Sequence, residues 1–227
     1  MRSRTAPELT VPVQDVAVIF FSSLFVAYSG ALMPGPMLAV VVAETPRHGA
    51  RAGPLVVLGH GILELALIVA LVVGLGPVLA RADVQVALSI AGGVMLAVMG
   101  ASMAVAVLRD SAQIDWDVDG DRKGRARTVF GGVVSSLANP YWSIWWATIG
   151  LGLLTKAYAV GVAALVAFYV GHILGDLTWY AAVSAAISAG RRWISARGYR
   201  VMIGVAAALL FAMATWFLAS GLRGLSA

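Results

Sequence analysis

Two histidine–carboxylate pairs are the residues of this chain whose types and spacing could do chemistry. His60 precedes Glu64 by four positions, and His172 precedes Asp176 by four. Residues four apart on a helix share a face and can hydrogen-bond to each other. A charged group at the centre of a bilayer costs about 2.5 kcal/mol or more, so ionisable residues inside apolar segments indicate function. Both pairs lie inside long apolar segments, and they are therefore our candidate site.

Three functional roles and one structural role are compatible with these pairs. Histidine titrates near neutral pH and a neighbouring carboxylate tunes it, so the pairs could couple proton movement. The carboxylates could instead hold the ammonium group of an amino acid. Four nitrogen and oxygen donors converging from two helices could bind a divalent metal such as zinc, nickel or manganese. The pairs could also lock neighbouring helices together. Spacing alone does not choose among these roles.

The composition places the pairs in a membrane protein. Of the 227 residues, 60% are hydrophobic and only 12% are charged. A membrane span needs about 20 apolar residues. The segments that qualify are roughly 16–43, 54–80, 84–108, 128–155, 157–189 and 201–222. We therefore predict an all-α integral membrane protein with six transmembrane helices, in which residues 1–227 form a single transmembrane domain.

Two of these six segments are broken by proline. Pro34-Gly35-Pro36 interrupts the first segment and Asn139-Pro140 interrupts the fourth. Broken backbone is tolerated in a membrane only where it is buried in protein or lines a cavity. A half-helix that starts after such a break directs free amide hydrogens at the cavity, which suits a carboxylate. We therefore predict that these five residues bind substrate, with a structural kink as the alternative.

Aromatic residues close to these features extend the candidate site. Trp142 and Trp146 follow the second break, and Tyr180 lies one turn beyond Asp176. Tryptophan commonly marks the membrane interface. Because these residues lie midway along their segments, we predict instead that they line a substrate pathway.

The chain reads as two copies of a three-span unit. The His-carboxylate pair recurs 112 positions later and the proline break 106 positions later. A small-residue packing face, Gly93, Ala97 and Ala101, recurs 111 positions later as Gly204, Ala208 and Ala212. We place repeat one at about 16–108, a linker at 109–127 and repeat two at about 128–222. Because three is odd, the copies enter the membrane from opposite sides, which is the inverted-repeat plan of secondary transporters.

The basic residues set the orientation. Eleven of the 16 Lys and Arg residues lie in loops on one side of the six predicted spans, including Arg47, Arg51, Arg191 and Arg192. The positive-inside rule puts that side in the cytoplasm and both termini outside. This topology signal explains the basic composition better than nucleic acid binding does. Glu44, Arg47 and His48, at the cytoplasmic end of the first span, read as a solvated loop or a gate.

The composition also limits the chemistry. The chain has no cysteine, which excludes disulfides, thiolate metal sites and cysteine nucleophiles. No recognisable nucleophile accompanies the His-carboxylate pairs, so we expect a transporter without a cofactor rather than an enzyme. The expected partners are a small-molecule substrate, a proton or other coupling ion and the lipid bilayer. The oligomeric state is open, and a homodimer is one option.

With these motifs in place, the chain resembles the LysE/RhtB family of amino-acid exporters. The resemblance covers essentially the whole chain and rests on residues 30–36 (GALMPGP), residues 48–53 (HGARAG) with Gly59, and Asn139-Pro140. It implies export of an amino acid or similar small zwitterionic metabolite, driven by a proton or ion gradient, across a bacterial or archaeal cytoplasmic membrane. The alternative function is a divalent metal-ion exporter with the two His-carboxylate pairs as ligands.

Overall fold

The structure, a computed structural model, describes residues 13–79, 81–109 and 122–225 and contains no strand within those ranges. The helices are α1 (Val13–Ala31), α2 (Pro36–His48), α3 (Ala52–Ala70), the short α4 (Gly76–Leu79), α5 (Ala82–Leu108), α6 (Arg122–Leu137), α7 (Pro140–Trp145), α8 (Leu151–Val160), α9 (Val162–Ala189) and α10 (Ala196–Leu225). π-Helical stretches follow α3 and α7, at Leu71–Leu75 and Trp146–Gly150. The all-α prediction is confirmed.

Among the described residues, five helical segments are long and apolar enough to cross a membrane. They are Val13–Ala31, Pro36–Gly74, Ala82–Leu108, Val162–Ala189 and Ala196–Leu225. The second of these contains α2 and α3, which join through a turn at Gly49, whose φ of 57° is readily adopted only by glycine. The predicted span 128–155 is divided among α6, α7, a π-helical stretch and α8. Most of the predicted 109–127 linker, residues 110–121, lies outside the described residues.

Both helix breaks lie where the prolines predict them. α1 ends at Ala31 and α2 begins at Pro36, with an extended Gly35 preceding it. α6 ends at Leu137 and α7 begins at Pro140. Proline suits the first position of a helix because its missing N–H would have no partner there. The first and fourth predicted spans are thus each interrupted by a short unwound segment between two helices.

Glycines let the helices that carry the histidines cross their neighbours closely. α3 packs on α6, and at Gly59 an added Cβ would collide with the backbone carbonyl of Val129. α9 packs on α1, and at Gly171 an added Cβ would collide with the carbonyl of Phe20. Gly59 and Gly171 each precede a site histidine. The two equivalent glycines therefore bring each histidine against a helix from the other half of the chain.

The small-residue face predicted on the last helix is wrong. α5 and α10 pack along their length, but nothing lies within 4 Å of a Cβ added at Gly204, and Ala208 and Ala212 are exposed. The buried face of α10 instead includes Ile203 and Ala207. Larger side chains make more van der Waals contacts between two helices than small ones do, and Phe217 and Leu210 complete that face.

We expect Gly59→Ala to destabilise the protein because its methyl group would collide with the α6 backbone. Overpacking of this kind costs about 1–3 kcal/mol. Thermal unfolding in detergent should show a lowered Tm. The matched control is Gly204→Ala, where the added methyl meets open space and the Tm should stay unchanged or rise slightly. Equal Tm values for both variants would contradict the close α3–α6 crossing.

Candidate functional site

The two His-carboxylate pairs meet in one buried cluster. α3 contributes His60 and Glu64, and α9 contributes His172 and Asp176. All four are buried, with Glu64 fully inaccessible. One ligand atom from each residue can be chosen so that all four atoms lie within 4.8 Å of one another. The structure thus joins two pairs that the sequence could only place on separate helices.

Nitrogen and oxygen atoms alternate around this cluster. His60 Nε2 lies 3.2 Å from Glu64 Oε1 and 3.2 Å from Asp176 Oδ2. His172 Nε2 lies 3.2 Å from Glu64 Oε2 and 3.5 Å from Asp176 Oδ2. Each imidazole therefore faces one carboxylate from its own helix and one from the other helix.

Two tryptophans hold Glu64 in place. The indole N–H groups of Trp142 and Trp146 donate to Glu64 Oε1 at 3.0 and 2.9 Å. Two charge-assisted hydrogen bonds to one oxygen fix the carboxylate's orientation. The other oxygen, Oε2, is buried and has no hydrogen-bond partner. The two tryptophans, which the sequence predicts to line a substrate pathway, thus orient the acid of the cluster.

The two histidines differ in what lies behind them. His60 Nδ1 lies 2.8 Å from Ser136 Oγ, whose hydroxyl is also 2.8 Å from the Gly132 carbonyl. His172 Nδ1 is buried without a hydrogen-bond partner. On α6, Ser136 lies seven residues after Val129, which Gly59 contacts. On α1, the residue seven positions after Phe20, which Gly171 contacts, is Ala27. Ala27 has no hydroxyl that could bind His172 as Ser136 binds His60. Sequence reasoning missed Ser136 because its partner, His60, is on another helix.

The cluster lies at the wall of a cavity of about 230 Å³. Predicted residues that line the cavity besides the cluster are Pro34, Gly35, Asn139, Trp142 and Tyr180. Pro36 and Trp146 are buried beside it and are not part of its lining. Sequence reasoning missed the wall that α10 supplies through Met213, Trp216 and Phe217, because apolar residues on a spanning helix carry no distinguishing signal.

The two helix breaks face each other but offer different chemistry. A Cβ added at Gly35 would lie 4.0 Å from Asn139 Nδ2. At the start of α7, the Tyr141 amide donates to Asn139 Oδ1 and the Trp142 amide donates to the Asn139 carbonyl. At the start of α2, Gly35 provides no side-chain cap, and the amides of Met37 and Leu38 have no partner within the described part of the chain. Free amides are therefore available at α2, whereas α7 is capped internally.

A third His-carboxylate contact lies away from the cavity, at the end of α2. His48 Nε2 is 3.5 Å from Glu44 Oε2, which accepts a hydrogen bond from Thr128 at 2.9 Å. His48 is buried rather than solvated, so the interpretation of this segment as a solvated loop is wrong for this residue. The contact joins the end of α2 to α6.

Apolar spanning helices, unwound segments within them and a buried polar cluster beside a cavity define a multi-pass membrane transporter. The family model described as LysE type translocator matches residues 28–221, and the chain belongs to that family. A search of curated proteins and a search of solved structures gave no match. The family consists of membrane transporters rather than enzymes, and it suggests export of amino acids or similar small molecules.

We expect Trp146→Phe to destabilise the protein more than Trp145→Phe. Both substitutions remove similar volume from neighbouring buried positions, but only Trp146 donates to Glu64, and the Trp145 indole nitrogen has no partner. A hydrogen bond to a charged group contributes about 1.5–3 kcal/mol. Thermal unfolding of the two variants measures the difference in stability. A lower Tm for Trp145→Phe than for Trp146→Phe would contradict the hydrogen bond from Trp146 to Glu64.

Proposed function

We propose that this protein exports an amino acid or a similar small zwitterion from the cytoplasm of a bacterial or archaeal cell, coupled to proton entry by alternating access. One observation carries the proposal: a single cavity adjoins both a cluster with two carboxylates and a helix start with free amides. A zwitterion needs both kinds of partner. The cavity's volume of about 230 Å³ is below the roughly 300–1,000 Å³ of pockets for drug-sized ligands, which favours a small solute.

The start of α2 is the proposed site for the substrate's carboxylate. Free backbone N–H groups and the positive end of the helix dipole both favour an anion. Gly35 and Pro34 line the cavity at this point, and Asn139 faces them from the other break. Because the first amides of α7 already bond to Asn139, the second break contributes only the Asn139 side chain to the proposed carboxylate site. The predicted substrate-binding role thus falls unequally on the two breaks.

Glu64 and Asp176 are the proposed site for the substrate's amine and for the coupled proton. Two carboxylates buried together are stable only when cations or protons accompany them. An ammonium group and added protons would compete for the same oxygens. Proton entry from outside would therefore favour release of the amine there, and proton loss to the cytoplasm would favour binding of the next substrate. Competition of this kind couples the two fluxes.

The packing of the two halves supports an inverted repeat with alternating access. α3 of the first half packs on α6 of the second, and α9 of the second packs on α1 of the first. The cluster lies between α3 and α9, so a movement of one half against the other would change it. We place residues 16–108 and 128–222 in the two repeats, with six spans and both termini outside the cell.

We expect Glu64→Gln and Asp176→Asn each to abolish gradient-driven transport while the protein still folds. Each change removes a negative charge from the cluster with little change in shape. Uptake of labelled amino acids into proteoliposomes under an imposed pH gradient is the measurement. Asp83→Asn is the control, because Asp83 is exposed and pairs with Arg81 away from the cavity. Wild-type transport in both cluster variants would refute the coupling mechanism.

We expect Asn139→Asp to weaken substrate binding because its carboxylate would repel the substrate's carboxylate near Gly35. An increase in KM of roughly tenfold corresponds to about 1.4 kcal/mol. The amide and the carboxylate have nearly the same shape, so the effect reports charge rather than volume. An analogue that keeps the amine but lacks the carboxylate should be insensitive to this change. An unchanged KM for the amino acid would argue against carboxylate binding at the breaks.

A further inference from the structure

We infer that His60, Glu64, His172 and Asp176 form a binding site for one divalent transition-metal ion of the zinc class, and that this ion is a substrate of the exporter. The inference rests on the export activity in the proposed function, and it assigns to the cluster a metal ion where that proposal has an ammonium group and a proton. The cluster offers two imidazole nitrogens and two carboxylate oxygens, one of each from α3 and one of each from α9. Four such ligands are a complete set for a tetrahedral ion.

The distances within the cluster match a coordination shell. Zinc bonds of about 2.0–2.1 Å arranged as a tetrahedron place neighbouring ligand atoms about 3.3–3.4 Å apart. The four imidazole–carboxylate distances are 3.2, 3.2, 3.2 and 3.5 Å. Both oxygens of Glu64 take part in these contacts, and one ligand atom from each of the four residues can be chosen so that all four lie within 4.8 Å of one another, close enough for one ion to draw them together.

The same contacts do not satisfy the cluster by hydrogen bonding. Glu64 Oε2 and Asp176 Oδ2 are buried and have no hydrogen-bond partner, although an imidazole nitrogen lies 3.2 Å from each. Buried carboxylate oxygens are normally paired, since an unsatisfied one is costly. A cation bound between these oxygens and the neighbouring imidazoles would satisfy both buried carboxylates.

Groups around the cluster orient two of the ligands, Glu64 and His60, as outer partners of a metal site do, whereas His172 Nδ1 has no hydrogen-bond partner. Trp142 and Trp146 bind Glu64 Oε1 and leave Oε2 directed at the cluster. Ser136 Oγ lies 2.8 Å from His60 Nδ1, the ring nitrogen remote from the cluster. A metal-bound histidine almost always uses its second nitrogen for such a hydrogen bond.

Charge and donor type select the ion. Two carboxylates, two neutral imidazoles and one divalent cation form a neutral assembly, which lowers the cost of burial in a membrane. Imidazole nitrogen favours zinc and its neighbours, whereas magnesium and calcium prefer oxygen alone. All four ligands line the cavity, and each helix carries two of them. Separation of α3 from α9 would leave two ligands, which is a route to release and the reason to regard the ion as cargo.

Binding is tested on the full-length protein, purified in detergent with an affinity tag that contains no histidine and stripped of metal with a chelator. Titration with Zn²⁺ by calorimetry should give one ion per chain. Co²⁺ should give the visible absorption of a tetrahedral site, and Zn²⁺ but not Mg²⁺ or Ca²⁺ should displace it. Absence of Zn²⁺ binding, or equal displacement by Mg²⁺, would overturn the inference.

The chain offers a matched control for each ligand variant. His172→Gln should lose the site, whereas His48→Gln should retain it, because His48 contacts Glu44 away from the cavity. Ser136→Ala leaves all four ligands and should weaken Zn²⁺ binding about 10–100-fold. This variant keeps the inference testable if His172→Gln fails to fold. Binding that falls equally in His48→Gln and Ser136→Ala would overturn it.

Flux separates this inference from the proposed function. Proteoliposomes that enclose a zinc-sensitive dye should take up Zn²⁺, and Asp176→Asn should abolish uptake. Zn²⁺ binding without flux overturns the assignment of the ion as cargo. Proton-driven amino-acid transport in the absence of any Zn²⁺ binding overturns this inference and supports the zwitterion exporter. Zn²⁺ flux without amino-acid transport supports this inference and overturns the zwitterion proposal.

Discussion

The structure depends on the burial of two carboxylates in a medium that does not solvate charge. An ionised carboxylate deep in a protein within a bilayer is stable only beside compensating groups. Two indole N–H groups donate to Glu64, and the same two imidazoles lie within 3.5 Å of Glu64 and of Asp176. For each carboxylate, some of these partners lie on another helix. The packing of α3 against α9 and the contacts of Trp142 and Trp146 with Glu64 are therefore tied to the electrostatics of one small volume.

Close helix crossings make that volume possible. Gly59 and Gly171 each allow a backbone contact one residue before a site histidine, so the position of each imidazole is fixed by the crossing itself. In a membrane, helices associate through packing and small residues rather than through the hydrophobic effect. The glycines and the polar residues thus act together: the glycines set the distance between helices, and the polar cluster makes the arrangement unique.

The two halves of the molecule are similar in packing but unequal in chemistry. Ser136 lies behind His60, whereas Ala27 lies near the equivalent place on α1. Asn139 caps α7, whereas Gly35 leaves the start of α2 open. The cavity thereby has a helix start without a side-chain cap on one side and a second hydrogen-bonding group for histidine on the other.

The sequence by itself determined the helical class, the helix breaks and the residues of the cluster. Proline and glycine break helices through local sterics, and ionisable residues within apolar segments are conspicuous because the bilayer disfavours them. Only the tertiary structure decided that the two pairs join into one site, that Trp142 and Trp146 hold Glu64, and that Ser136 contacts His60. These contacts link residues on different helices, far apart in the chain. The sequence likewise misplaced the packed face of α10, because among uniformly apolar residues only the shape of the neighbouring helix decides which side is buried.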